Sequence, residues 1–356
     1  MLEGKGNGTA PPNRRDDQEL ARRDDPERSM ELRQRYEEDL YLVRGLVAWL
    51  AVAAGLIGLF LFPLYAPGYV TFTVVLIAVN AIIAIGLNLL TGFTGQISLG
   101  HAGFVAIGAY AAGLLAARGG LPWWIAWPAA GMIAAAFGFL VGLPALRLTG
   151  PYLTIATLGF GIAVHQVLTN WEALSGGRMG LAIPRVTFGP AALSADQRLY
   201  YLAVSIAVLL TWVAYNLARS HVGRAFVAIR DSDIAAEVIG VNLTRYKTLA
   251  FAVSAFYAGI GGAMLAQALR HIDPQLFTLF ESIYYFSMIV IGGLASIPGA
   301  ILGAIVLTVL PQQLSGFREW LPVIFGSAII LMMVLEPKGL YGRWVRVKRY
   351  FTTWPL

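Results

Sequence analysis

A run of polar side chains interrupts an otherwise apolar part of the chain between Thr91 and Leu115. The sequence there reads TGFTGQISLGHAGFVAIGAYAAGLL, and its side chains best suited to chemistry belong to Gln96, Ser98 and His101. They can hydrogen-bond to backbone groups that leave a helix, or to a polar solute. Helices that break inside a membrane present their freed ends to zwitterionic or anionic solutes in many transporters. We therefore expect these three residues to line a translocation pathway.

Close packing of helices through small residues is the alternative explanation of the same stretch. It is the better explanation for Gly108, Ala111, Ala112 and Gly113, which have no polar side chains. For the polar residues before them, both interpretations remain open.

A second polar and glycine-rich interruption, TGPYLTIATLGFG, runs from Thr149 to Gly161. Pro151 suits the first turn of a helix. Thr154 and Thr157 are further candidates for the pathway, although threonine hydroxyls in helices also bond to their own backbone.

The residues needed for several kinds of catalysis are missing. The chain has no cysteine, so it has no thiolate nucleophile and no Cys-based metal site. Its four histidines show no metal-site spacing with carboxylates, and no nucleophile and base form an evident pair. It contains no GxxxxGKS or GxxxxGKT phosphate-binding loop. We expect no enzyme activity, no metal and no cofactor bound by this chain.

The composition is that of an integral membrane protein. Hydrophobic residues make up 57% of the 356 residues and charged residues 13%, with a mean hydropathy of +0.66. Of the 26 Lys and Arg residues, 9 lie in 1–44, 5 in 219–247 and 5 in 338–349. Basic blocks beside apolar spans follow the positive-inside rule, so the high pI gives no reason to expect nucleic-acid binding.

Apolar segments long enough to approach the width of a bilayer predict an all-α, polytopic helical bundle with broken helices. We place ten spans at 45–65, 69–90, 101–117, 122–146, 151–171, 199–218, 248–269, 278–294, 296–314 and 321–336. Six spans precede the basic block at 219–247 and four follow it, so all three basic blocks lie on one face. Both termini are therefore expected in the cytoplasm. Eight spans with two re-entrant pieces remain the alternative.

These spans define three regions of the chain. Residues 1–44 are expected to form a charged cytoplasmic tail, with a polar helix over about 29–43, and 338–356 a basic one. Between them lies a membrane domain, 45–337, with an outer loop at 172–198 and a cytoplasmic loop at 219–247. The outer loop is rich in Gly, Pro and Ser, and it is either a docking surface or a simple linker.

The cytoplasmic loop is too polar to insert into a bilayer and too regular to be a linker. Apolar residues at near-helical spacing predict short amphipathic helices there, and they are Phe226, Ile229, Ile234, Val238 and Ile239. A short helix with one apolar side suits docking into a groove of another protein.

This loop resembles the coupling loop of ABC importer permeases, which carries EAA, three residues and then Gly. Here Ile234, Ala235 and Ala236 are followed by three residues and Gly240, with Glu237 one turn after the missing Glu. The order of GLNLLTGFTGQISLGHAGFVAIGAY, PYLTIATLGFG, SGGRMGL, GRAFVAIRDSDIAAEVIG, IGGLASIPGAILGA and EPKGLYGRW is similar to LivM-type permeases of branched-chain amino acid importers. The resemblance covers about 69–344.

The resemblance implies the partners and the site of coupling. Such permeases pair with a LivH-type permease, two cytoplasmic ATPases of the LivG and LivF type, and a periplasmic binding protein, in the bacterial inner membrane. ATP and Mg would be held by the ATPases. The ATPase-coupling residues would be Phe226, Ile229, Arg230, Asp231, Ile234, Ala235, Ala236, Glu237 and Gly240.

The solute and the energy source are the two points with alternatives. Related importers carry urea, short amides or aromatic acids instead of leucine, isoleucine and valine. An ion-coupled carrier or channel is the alternative of another class, but it usually keeps ionisable residues in the membrane. The spans contain hardly any carboxylate: Glu281 lies near the outer end of one, and Asp273 and Glu319 lie in connections.

Overall fold

The computed structural model describes residues 46–145, 148, 150–184, 194–313, 320–336 and 339–352. The chain divides into one unit that ends at Gly55 and a second that begins at Leu56. In the first unit the described part, from Leu46, is helical. The predicted N-terminal tail and its polar helix lie outside the described residues. Helix α1 includes residues of both units, and all other features below belong to the second unit.

The described part of the chain is almost entirely helical, as the apolar segments predict. Its helices are α1 (Leu46–Leu61), α2 (Gly68–Asn88), α3 (His101–Ala117), α4 (Trp123–Ala145), α5 (Pro151–Asn170), α6 (Glu172–Ser175), α7 (Ala195–Arg219), α8 (His221–Asp231), α9 (Asp233–Val238), α10 (Leu243–Leu269), α11 (Leu279–Gly292), α12 (Ile297–Gln313), α13 (Leu321–Leu335) and α14 (Gly339–Thr352). Each of the ten predicted spans coincides with one of these helices.

Not all of these helices are long enough to cross a bilayer unaided. Five apolar helical stretches have the length and composition for it: Gly68–Phe93, Trp123–Pro144, Pro151–Asn170, Ala195–Arg219 and Leu243–Leu269. Shorter apolar helices include α3, α11 and α12. A multi-pass membrane protein with broken helices is therefore confirmed, whereas the number of crossings stays a prediction.

Polar caps and a proline define where several helices begin. Ser194 and Gln197 form a reciprocal capping box at the start of α7. Asn242 accepts a hydrogen bond from the Arg245 N–H and so starts α10. Pro151 occupies the first turn of α5, where its missing N–H costs nothing.

Helix α10 is the centre of the bundle, packed most extensively against α4, α3 and α2. Close approach depends on glycine: a Cβ at Gly108 of α3 would overlap the backbone of Gly259 in α10. A Cβ at Gly113 would meet the Cδ1 of Ile183 at 2.6 Å. Small residues in this part of α3 thus serve helix packing, as expected.

The segment predicted as an outer loop has more structure than its composition suggests. It contains α6, a 3₁₀ turn over Gly177–Met179 and the strand β1, Leu181–Ala182. Strand β1 pairs antiparallel with β2, His271–Ile272, which follows α10. Residues 185–193 of this loop lie outside the described part.

Candidate functional site

Helix α2 does not continue into α3 but breaks in a sheltered place. Its end is a turn of π helix, Leu89–Phe93, and Gly95 then takes a left-handed conformation with φ +72°. Residues 95–100 form no helix before α3 begins at His101. We call residues 94–100 the break segment. Such π turns often mark functional positions in helices.

Protein groups satisfy much of the backbone that the break exposes. Thr91 Oγ1 donates a hydrogen bond to the Gln96 carbonyl at 3.1 Å. Thr157 Oγ1 accepts one from the Leu99 N–H at 3.1 Å, and Ser282 Oγ accepts one from the Ala102 N–H at 3.0 Å. Irregular backbone at membrane depth requires such partners.

The three polar side chains singled out in this stretch are all buried. Gln96 is 6% exposed, and Ser98 and His101 are fully buried. His101 Nε2 lies 3.3 Å from the Ile83 carbonyl of α2. Within the described residues, Gln96 Oε1, Ser98 Oγ and His101 Nδ1 have no hydrogen-bond partner. Buried polar atoms without partners are rare in folded proteins, so this cluster calls for a ligand, water or a second subunit.

Thr154 and Thr157, the other two candidates for the pathway, lie on α5 beside the break segment. Thr157 is buried and donates to the Thr154 carbonyl at 2.9 Å while it accepts from Leu99. Thr154 Oγ1 lies 3.5 Å from the Ile97 carbonyl. The structure therefore places all five predicted residues close together. The two threonines contact the backbone of the break segment.

Helices α3 and α11 run antiparallel, and α3 begins at the buried residue His101. The start of α3 contacts α11 through His101 and Tyr285, whose ring centroids are 6.4 Å apart. Further along α3, Tyr110 meets Phe277, just before α11, with centroids 6.2 Å apart. The later residue of α3 thus meets the earlier residue of the α11 region, so the two helices run in opposite directions.

Asn88, the last residue of α2, fastens the turn between α11 and α12. It is fully buried. Its Oδ1 accepts from the Ala295 N–H at 2.9 Å, and its Nδ2 donates to the Ser296 carbonyl at 2.8 Å. Ala295 has a positive φ of 56°, which is unusual for a residue with a side chain. Sequence reasoning missed this residue because its partners are far away along the chain.

The predicted amphipathic helices of the 219–247 loop are α8 and α9. Ser220 caps α8 by accepting from the Val222 N–H, and Ser232 caps α9 by accepting from the Ala235 N–H. Ser232 has extended backbone, with φ −165° and ψ 119°. The two helices therefore meet at a bend, and they do not form one continuous amphipathic helix.

The residues expected to dock an ATPase fall into a buried set and an exposed set. Phe226, Ile229 and Ala236 are buried, with at most 4% exposure. Phe226 packs with Leu90 and Phe251 in a small core cluster of this chain. The exposed residues of the set are Arg230, Asp231, Ile234, Ala235, Glu237 and Gly240. An outward apolar side at Phe226 and Ile229 is therefore wrong, because their side chains hold α8 against the bundle.

The exposed apolar surface lies on and just after α9. Ile234, Val238 and Ile239 are 78%, 82% and 74% exposed. We call these three residues the α9 patch. Gly240, which follows, has a φ of +87° with open space where a side chain would stand.

Arg230, near the end of α8, contacts the break segment. Its Nη1 lies 3.4 Å from the Gly92 carbonyl, and its Cγ would be 3.1 Å from a Cβ at Gly95. Its Nη2 pairs with Asp231 at 3.1 Å. The loop and the break, predicted as separate sites, are thus in direct contact.

An ion pair that sequence reasoning missed joins α9 to α10. Lys247 Nζ lies 2.6 Å from Asp233 Oδ2, and the lysine side chain is 9% exposed. A cavity of about 360 Å³ opens beside this pair. It is lined by the break segment, the start of α5 and the α8–α9 bend, including Gln96, Leu153, Arg230, Asp233 and Lys247.

Comparisons with known proteins agree on one kind of protein. The family described as "Branched-chain amino acid transport system / permease component" matches residues 69–335. The chain is 36% identical over 283 residues to the high-affinity branched-chain amino acid transport system permease protein LivM of Salmonella typhimurium, which covers 73% of this chain and 67% of the relative. LivM of Escherichia coli is 37% identical with the same coverage.

A second kind of permease from these systems is a more distant relative. The permease protein LivH of Salmonella typhimurium is 27% identical over 284 residues, which cover 74% of this chain and 91% of the relative. No solved structure matches the chain.

Proposed function

Because the chain belongs to the family of branched-chain amino acid transport system permease components, we propose that it is a membrane subunit of an ATP-driven importer for leucine, isoleucine and valine. The observation that carries this proposal is the match to LivM over most of the chain. The broken helix and its contact with the α8–α9 loop give it a physical basis.

The α9 patch is the proposed docking surface for an ATPase. Three strongly exposed aliphatic side chains, beside charged residues, suit a groove on a partner protein. The positive-inside rule supports a cytoplasmic position for this loop, because five Lys and Arg residues lie within 219–247. Glu237 and Gly240 belong to the same exposed surface.

Movement of α8 is the proposed link between ATP hydrolysis and the pathway. Arg230 touches the Gly92 carbonyl, and Phe226 packs on Leu90, so a shift of α8 would pull on the end of α2. The break segment follows directly and carries Gln96 and Ser98, and His101 comes immediately after it. These residues, with Thr154 and Thr157, form the proposed pathway lining.

The complete importer would need further subunits. We propose a LivH-type permease as the second membrane subunit, two ATPases that hold ATP and Mg, and a periplasmic protein that delivers the amino acid. The assembly would lie in the bacterial inner membrane. Selectivity would rest with the binding protein, since the described membrane residues include few charged side chains.

Reconstitution of all subunits in liposomes tests the proposal. Labelled leucine, urea and benzoate are offered with the binding protein outside and ATP inside. We expect leucine uptake that stops when any one subunit is omitted. Uptake of leucine by this chain alone, driven by an ion gradient, would reject the proposal, and uptake of urea or benzoate instead would reject its solute.

A further inference from the structure

We propose that the cavity between the break segment and the α8–α9 bend is a binding site for a free zwitterionic amino acid on the cytoplasmic side. This inference rests on the proposed function for the orientation of the chain and the class of solute. It adds a site on the side where the solute is released.

The orientation of the Gln96 amide can be worked out from its neighbours. Thr94 Oγ1 donates its one proton to the Leu90 carbonyl, so towards Gln96 it can only accept. Gln96 Nε2 is therefore the atom that lies 3.3 Å from Thr94 Oγ1. Among the residues that the structure describes, Oε1 has no partner, and it is a buried acceptor on a residue that lines the cavity.

A buried acceptor without a donor favours a ligand that carries N–H groups. Asp233 supplies a second acceptor on the same cavity, with a side chain that is 38% exposed although one oxygen faces Lys247. A neutral amide oxygen and a carboxylate together suit an ammonium group. This part of the cavity fits the amino end of an amino acid.

Positive groups on the same cavity fit the other end. Arg230 lines it and is 37% exposed. A guanidinium has five N–H donors, and the contacts of Arg230 with Asp231 and Gly92 engage three of them. Lys247 contributes a second cation. A carboxylate placed here gains charge-assisted hydrogen bonds.

An apolar part of the lining suits a branched aliphatic side chain. It includes Ile97, Leu148, Leu153 and Ile229. A volume of about 360 Å³ accommodates a solute of the size of leucine. Neither a simple anion nor an aliphatic alcohol would use all three kinds of lining.

An amino acid in this cavity would bridge the break segment and the bend that bears the α9 patch. Because these are the two parts that must move together during transport, the occupant would hold them in one arrangement. Accumulated product would therefore slow ATP hydrolysis. The site would act as a sensor of the internal amino acid concentration.

The test uses the complete complex without its binding protein, in nanodiscs that leave both faces accessible. Binding of leucine is measured calorimetrically, and ATP hydrolysis is followed as leucine is raised through the millimolar range. Leucinol lacks the carboxylate, and 4-methylpentanoate lacks the ammonium group. Of these three compounds, we expect only leucine to bind and to inhibit ATP hydrolysis.

Three variants locate the site. Gln96→Leu should weaken leucine binding about tenfold, since it removes a hydrogen bond to a charged group. Ile97→Phe should fill the cavity and weaken binding without touching a polar group. Gln275→Leu, at an exposed position away from the cavity, is the matched control and should bind as the wild type does.

The outcomes separate this inference from the proposed function. Leucine uptake in liposomes without leucine binding in nanodiscs would overturn the inference alone. Equal binding of 4-methylpentanoate, or leucine binding unchanged in both cavity variants, would overturn it as well. If the complex with Gln96→Leu fails to assemble, leucine binding by the Ile97→Phe variant decides the question. Absence of leucine uptake by the full complex would overturn the proposed function instead.

Discussion

Asn88 holds Ala295 in a left-handed conformation although 207 positions separate the two residues in the chain. The same amide also donates to Ser296, so it closes the turn between α11 and α12 with two hydrogen bonds. Asn88→Ala would leave the Ala295 N–H and the Ser296 carbonyl without these partners. We expect a loss of about 2–4 kcal/mol in the free energy of unfolding.

Thermal unfolding of the detergent-purified protein measures this loss. Asn170→Ala is the control, because Asn170 is exposed and its side-chain amide donates to the Gln166 carbonyl one turn away. Equal melting temperatures for the two variants would contradict a structural role for Asn88.

Arg230→Ala should uncouple ATP hydrolysis from transport. The change removes the contact of α8 with Gly92 and leaves the α9 patch in place. We expect leucine uptake to fall about tenfold while ATP hydrolysis continues, so that more ATP is used per leucine. Arg224→Ala, on the same helix but with its guanidinium at the Arg219 carbonyl, should keep the normal ratio. Parallel loss of both activities in Arg230→Ala would point to simple misfolding.

The effect of a substitution at Gly240 should depend on backbone strain and not on the size of the new side chain. The Gly240 φ of +87° disfavours any L residue, yet a Cβ there would meet no atom within 4 Å. Gly240→Val should therefore impair coupling by a strain of about 1–3 kcal/mol, whereas Gly240→Asn should be milder because Asn tolerates positive φ. The ratio of uptake to ATP hydrolysis checks this order. If Asn and Val are equally harmful, steric contact with a partner explains the effect instead.

Substitutions of exposed and of buried residues in the α8–α9 loop should have different effects. Replacing the three residues of the α9 patch by Ser should abolish co-purification of the ATPase and leave the melting temperature unchanged. Phe226→Ala should cost about 3–5 kcal/mol of stability, because it empties a position in the core. Retained ATPase binding in the triple variant would exclude the patch as the docking surface.

Gln96→Ala and His101→Ala should reduce leucine uptake at normal expression. Both side chains are buried and carry an atom that has no hydrogen-bond partner in the described part of the chain, which suits a polar solute in transit. Gln166→Ala, on the exposed side of α5, provides a control of the same type. Uptake by either site variant at the wild-type rate would remove that residue from the pathway.

The positions of the helices could be predicted because apolar runs in this chain are long and clearly bounded. Helix α3 begins at His101 and ends at Ala117, as its sequence predicts. The polar interruption before it also predicted a break, since Gly95 and its neighbours do not favour a continuous helix.

The orientation of side chains in the α8–α9 loop could not be predicted in the same way. Phe226, Ile229 and Ile234 have a spacing that fits one helical face, but Ser232 ends that helix and turns the next one away. A single cap therefore decides whether an isoleucine faces the core or water. Contacts such as Asn88 with Ala295 leave no local pattern at all.

The α9 patch also bears on how the cell regulates the amount of this subunit. A copy without its ATPase would present three adjacent aliphatic side chains to water, the kind of surface that chaperones and membrane proteases bind. Surplus copies would be degraded, and those assembled with a partner would be protected. The proportions of the subunits would then be set after translation, by the lifetime of each copy that has no partner.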